Sequence, residues 1–274
     1  MHSDFSITAL NDASDSENRM HSDEVAARYG FSGALVSGVN VFGYMTQPLV
    51  AAQGAAWFNN LGFKVRFLLP AYEHDEISIA SKASDEEPKT LCTQAVNQQG
   101  VRLATLDSWH NAELDRQSAE TLQRLADSTA TNYSEKDRPL ISWESIELNK
   151  PAAIWHWTPS SEENQKHVLA QRDSASCYST TSTPEVVHPY YLLDTCNKAL
   201  MRMFLLPAWI HVGSECALLR PLQVGEPLRI DCVATAKWER KGHQFIRLKV
   251  IMATTSALLF EAEHTAIFRI AEKT

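Results

Sequence analysis

The sequence predicts an α+β chain that builds one arrangement twice: a long apolar helix followed by a meander of antiparallel strands. Three observations carry this. No charged residue occurs from Gly33 to Phe63, so that run is either a helix buried on every side or a membrane span. Beyond it the hydrophobic period shifts to two, in Gly62–Leu68 and Glu76–Ser81, as half-buried strands require. The order then recurs. An apolar helix over Tyr190–Leu206 precedes alternating stretches at Pro227–Trp238, Gln244–Ala253 and Ala257–Ile270, and the turn Leu222–Pro227 stands where Leu69–Asp75 stands in the first half.

Each element has a local reason. Phe5–Leu10 alternates apolar and polar residues and reads as a short strand, and Asn11–Glu17 is a polar turn. Ser22 or Asp23 can cap a short helix over Glu24–Arg28, with Gly30 ending it. The apolar run carries Asn40, Thr46, Gln47, Pro48, Gln53 and Gly54 and has no basic flank before it, which favours a buried helix over a span. Pro48 is expected to end or kink it. Strands over Thr90–Val96 and Val101–Asp107, joined through Asn97–Gly100, complete the first meander. Ala112–Arg138 is polar and reads as a linker. Ala152–Thr158 reads as a strand, Ser160–Asp173 as a polar helix, and Ser214–Leu219 as a strand after the second apolar helix.

Composition narrows the function. The 274 residues are 44% hydrophobic and 21% charged, with a net charge of -8, an ordinary globular balance. No basic block is present, which argues against nucleic acid as a partner. The acidic N-terminus lacks the basic start and apolar core of a secretory signal. Five widely spaced cysteines without Cys-x-x-Cys point to reduced thiols in a cytoplasmic protein, not to a disulfide framework or zinc site. No Gly-x-Gly-x-x-Gly or Walker-type loop occurs.

The stretch Asn18–Phe58 carries a sharper pattern. Asn18-x-x-His21-x-Asp23, an alanine-bearing helix, Gly30-Phe31, an apolar pair and then Ser37-Gly38 opening a hydrophobic helix resemble the MaoC-like hotdog family of (R)-specific enoyl-thioester hydratases and dehydratases. That family's pattern is Asp, any residue, Asn, Pro, an aliphatic residue and His. Here the segment reads Ser16-Glu17-Asn18-Arg19-Met20-His21. Asn18, Met20 and His21 match; Arg19 replaces the Pro, and Ser16 replaces the catalytic Asp.

The resemblance implies a double hotdog, two antiparallel sheets each wrapped around a long central helix within one chain. Residues 1–112 would form the half carrying the Asn-x-x-His cluster, 113–138 a linker, and 139–274 a degenerate half. It implies that His21 is the acid/base, that Asn18 positions the carboxylate or the substrate, and that the Gly38 N–H holds the enolate-like oxygen. Asp15 and Glu17 flank Ser16, whose hydroxyl is too weak an acid or base; Asp15, or less readily Glu17, could replace the missing carboxylate, and a site without one is the remaining reading. Substrate contacts are expected at Ser16, Ser37 and Val39. The implied substrate is an acyl-CoA or acyl-carrier-protein thioester of fatty acid metabolism, handled without metal or cofactor by a monomer or homodimer.

Other readings stand beside this one. Asp23 can be an N-cap, Asn18 a turn residue and Gly38 a close-packing residue. Lys64, Arg66 and Arg102 could meet a pantetheine phosphate or simply face solvent. A non-catalytic thioester-binding hotdog is a rival that Ser16 and Arg19 favour. A hotdog thioesterase would need a carboxylate on a central helix; the first has none, and the second carries Asp194.

Overall fold

A computed structural model describes residues 5–87, 89–110 and 137–271. The first half comprises β1 (Phe5–Thr8), α1 (Asp23–Arg28), α2 (Gly38–Gln53), β2 (Leu61–Phe67), β3 (Glu76–Ala83), β4 (Leu91–Val96) and β5 (Arg102–His110). The second comprises β6 (Pro151–Trp157), α3 (Ser161–Ala170), α4 (Tyr190–Met203), β7 (Ile210–Leu218), β8 (Leu228–Arg240), β9 (His243–Ala253) and β10 (Leu258–Arg269). The expected linker falls almost wholly outside the described residues. No described helix is long and apolar enough to cross a membrane.

The strands lie in the order β1-β3-β4-β5-β2-β7-β10-β9-β8-β6. Each half contributes five in matching order, so the sequence reads as a mirrored repeat about the β2–β7 seam. The expectation of two sheets is refined here, because the seam joins them into one ten-stranded sheet. β2 and β7 pair antiparallel from Leu61↔Leu218 to Arg66↔Gly213. Gly213 makes this possible, since a Cβ there would lie 2.7 Å from the Val65 carbonyl oxygen. Lys64 and Glu215, opposite each other across the seam, form a 2.7 Å ion pair.

The central helices explain the charge-free run. Every residue of α2 from Val39 to Val50 except Pro48 is buried, and Phe42 stacks on Phe63 of β2 at 5.2 Å. Burial on all sides leaves no face for a charge. Pro48 does not end the helix, the first of the two outcomes expected of it. α2 continues to Gln53 and passes into a 3-10 turn over Gly54–Phe58, because packing around the helix outweighs one lost backbone hydrogen bond. Asp23 also departs from its expected role as a cap. Its carboxylate accepts from the Ala34 N–H at 2.8 Å, tying the start of α1 to the loop that enters α2.

The core holds several histidines as neutral rings. Burial pushes His264 down to about 3 and, with the neighbouring His188, pushes His167 down to about 2. Both lie below the ordinary 6.5, so the unfolded chain takes up protons first on acidification. Their contribution to stability is complete above pH 6.5 and is lost as the pH falls toward the folded-state values. Urea unfolding between pH 7 and pH 5 is expected to show stability falling by about 1.4 kcal/mol per pH unit below 6.5 for each such histidine. His264→Gln should make that slope shallower by about one proton; an unchanged slope would assign the acid sensitivity to other groups.

Candidate active site

A 3-10 turn over Arg19–His21 presents the histidine. Its N-cap residue Asn18 is 6% exposed and uses its whole amide. Oδ1 accepts from the Met20 N–H at 3.3 Å and the Trp209 N–H at 3.2 Å; Nδ2 donates to the Trp209 carbonyl at 3.0 Å and to His21 Nε2 at 3.4 Å. Asn18 therefore clamps the turn to the second half at the start of β7. The Arg19 N–H adds a bond to the Pro207 carbonyl at 2.9 Å.

These bonds define the state of His21. Nδ1 lies 2.7 Å from the Leu35 carbonyl oxygen, which can only accept, so Nδ1 carries the proton. Nε2 then keeps its lone pair. Burial lowers the His21 pKa, while the Leu35 carbonyl and the Asp12 carboxylate oppose that shift. The ring is thus neutral near neutral pH. The long contact from Asn18 leaves Nε2 able to accept from a water molecule.

His21, Asn18, Ser37 and Gly38 all line one cavity of about 290 Å³ between the halves. The first half adds Phe31, Leu35, Val41, Phe67, Leu68, Leu69 and Leu103; the second adds Asn197, Trp209, Ile210, His211, Val212, His243 and Ile267. Leu68 and Leu69 are 49% and 51% exposed and mark the entrance. No carboxylate is among the described residues lining this cavity. His21 also borders a second, open hollow with Asp23 and Glu73.

Gly38 opens α2, and no hydrogen bond from its N–H to a protein acceptor occurs among the described residues. The N–H adds to the positive end of the helix dipole. A Cβ at Gly38 would lie 3.3 Å from the Phe67 ring, so the absent side chain also lets the helix start approach the cavity wall.

The remaining expected residues lie elsewhere. Ser16 is half-buried and turns its hydroxyl back to the Asn18 carbonyl at 3.1 Å, so it does not line the cavity. Asp15 is exposed and lines neither hollow. The carboxylate whose charge reaches His21 is Asp12, which accepts from Asn40 Nδ2 at 2.6 Å. Val39 points into the core, not the cavity. Asp194 pairs with Lys198 at 2.8 Å and is also outside the lining. Asn197 and His211 carry no local signal; they and Trp209, a tryptophan suited to packing between the halves, enter the site through the packing of the second half.

The second half repeats the frame without the cluster. Val36 N–H donates to the Ala71 carbonyl at 2.8 Å, and Val187 N–H to the Leu222 carbonyl at 2.9 Å. Leu35 N–H donates to Met20 and Val186 N–H to Cys177 in the same way, at 3.1 and 2.9 Å. These matches place Tyr178 where His21 stands, Ala175 where Asn18 stands and Pro189 where Gly38 stands. Proline has no N–H to offer. Around this second position the buried side chains of Tyr178, His167 and His188 pack ring against ring.

Comparison with known proteins places this architecture. No family profile and no curated protein sequence matches the chain. Among solved structures it is similar to a MaoC-domain protein of Chloroflexus aurantiacus described as a dehydratase, at 13% identity over 98% of this chain and 95% of that one, with a TM-score of 0.62. It is similar to a Mycobacterium tuberculosis protein described as a double hotdog, at 14% identity over 97% and 95%, with a TM-score of 0.64. A Lactobacillus plantarum protein described as an oleoyl thioesterase matches at 9% identity over 100% and 98%, with a TM-score of 0.50.

The Asn18 clamp is directly testable. Asn18→Ala strands the Trp209 N–H and carbonyl in a buried seam and should destabilise the chain by about 2–4 kcal/mol, read by urea unfolding; a change within error would show that the seam does not depend on it. At these sequence identities the likeness is one of fold, and the chain is a double hotdog of the architecture seen in proteins described as MaoC-like dehydratases.

Proposed function

We propose that the chain is a hydratase/dehydratase acting on enoyl and 3-hydroxyacyl thioesters of CoA or a carrier protein. The observation that carries this reading is a neutral His21, whose Nε2 meets only the long 3.4 Å contact from Asn18, beside the unpaired Gly38 N–H, both on one apolar cavity. Residues 1–112 act as the catalytic half, 113–138 as a linker and 139–274 as a half that completes the cavity without a second site. The free state of all five cysteines fits a reducing, cytoplasmic setting, as a monomer or homodimer.

The chemistry follows from the groups at hand. His21 Nε2 takes a proton from water while the water oxygen bonds to C3. The C2–C3 double bond opens and negative charge moves to the thioester oxygen, where the Gly38 N–H and the start of α2 stabilise it. The imidazolium then returns the proton to C2. One base serves both proton transfers, because no carboxylate lines the cavity among the described residues. That same feature favours the rival reading, a thioester-binding protein without turnover. The thioesterase reading has less support, since Asp194 lies outside the lining.

Hydration of crotonyl-CoA, followed by loss of enoyl absorbance, tests the proposal. His21→Ala should reduce kcat by at least about a hundredfold, and Asp15→Asn should leave the rate unchanged. Because the His21 pKa is lowered, kcat/KM should be flat above pH 6.5 and fall only at more acidic pH, as Nε2 becomes protonated. Gly38→Pro copies the position of Pro189 and removes the N–H; Gly38→Ala, which adds a Cβ against the Phe67 ring but keeps the N–H, controls for the added bulk and should keep most of the rate. Proline suits the first position of a helix, so the proline variant should fold yet lose about a hundred- to a thousandfold in kcat. Binding of acyl-CoA without hydration of short, long or branched enoyl-CoAs would establish the non-catalytic rival.

A further inference from the structure

The cavity has a second polar wall that the proposed chemistry leaves unused. Asn197 on α4 is 8% exposed and lines the cavity. Its buried Oδ1 has no partner, and among the described residues no hydrogen bond involves its Nδ2 either. One other polar atom of the same wall is buried without a partner, Trp209 Nε1. Both residues belong to the second half. The contrast with Asn18 is direct: that amide is fully engaged within the protein, and the Asn197 amide is not engaged at all.

A buried amide without a partner is unfavourable unless a ligand satisfies it. An acyl thioester brings two oxygens near its reacting carbons, the thioester carbonyl and the oxygen at C3. The carbonyl is served by the Gly38 N–H at the start of α2. An alkyl tail has no use for an amide. We infer that Asn197 binds the C3 oxygen, holding the attacking water in the hydration direction and the 3-hydroxyl in the dehydration direction. In this arrangement His21 from the first half acts on the oxygen that Asn197 from the second half orients. The helices correspond residue for residue: Thr46 lies ten residues beyond Val36, as Asn197 lies ten beyond Val187. The Thr46 hydroxyl donates to the Gly43 carbonyl within its own helix at 2.8 Å, so the first central helix offers no such group at the corresponding position.

This inference rests on the acyl-thioester reading, and binding measurements separate the two. Calorimetry of wild type, Asn197→Leu and Asn197→Thr with butyryl-CoA and (R)-3-hydroxybutyryl-CoA is the test. Asn197→Thr copies the Thr46 position, with its hydroxyl satisfied inside the helix, and secures a folded variant if leucine overfills the site. Both variants should weaken 3-hydroxybutyryl-CoA by about tenfold or more while binding butyryl-CoA as the wild type does. Thermal unfolding should show no loss of stability, since a group without a partner has been removed. Equal binding of both ligands by wild type and variants would overturn the role of Asn197 and leave the thioester reading standing. Equal weakening of both would move the contact to the carbonyl and also overturn it. Failure of the wild type to bind either thioester would overturn the reading and the inference together.

Discussion

One buried amide holds the site together. Asn18 bonds to the turn that carries His21 and to the strand entry at Trp209. The cavity exists only where these two segments meet, so neither half has a complete site alone. The amide can do this because it offers two donors and two acceptor sites in a fixed plane. A carboxylate at position 18 could not donate, and an aliphatic residue would leave the Trp209 backbone unpaired in a buried seam.

The two halves show how one frame is used differently. Both bring the segment before the central helix against the same turn, with matching backbone bonds from Val36 and Val187. The first half leaves space at that junction and lines it with His21, Ser37 and Gly38. The second puts Tyr178 and Pro189 in the corresponding places and packs His188 against Tyr178 and against His167 of α3. With that junction filled, the second half is free to present α4 and β7 to the first half's cavity. The asymmetry is one of position: one half brings His21 and the start of α2 to the cavity, and the other closes it with Asn197, Trp209 and His211.

The neutral state of the histidines follows from the same burial. His21, His167, His188, His211 and His264 all have lowered pKa values, with burial the largest cause in each. For His21 this favours a free base over an imidazolium. For His211 and His264, bridged by the Ser214 hydroxyl at 2.9 and 3.0 Å, it lets two rings sit in the core without a counter-ion.

Much of this was legible in the residues themselves. The charge-free run required a buried helix, since no charge is tolerated on any of its faces; alternation placed the strands within a few residues, and the recurring order revealed the repeat. The Asn18–His21 spacing and Ser37-Gly38 picked out residues that line the cavity and the start of α2, because these signals lie within one short segment. Tertiary structure decided what depends on contacts distant in sequence. It joined the two sheets at Gly213, where the reason is the space left by an absent side chain. It carried α2 through Pro48, because packing around the helix outweighs one missing hydrogen bond. It left Asp15 in solvent and brought Asn197, Trp209 and His211 to the cavity. A side chain's neighbours across the seam are set by how the halves close on one another, and no local pattern encodes that geometry.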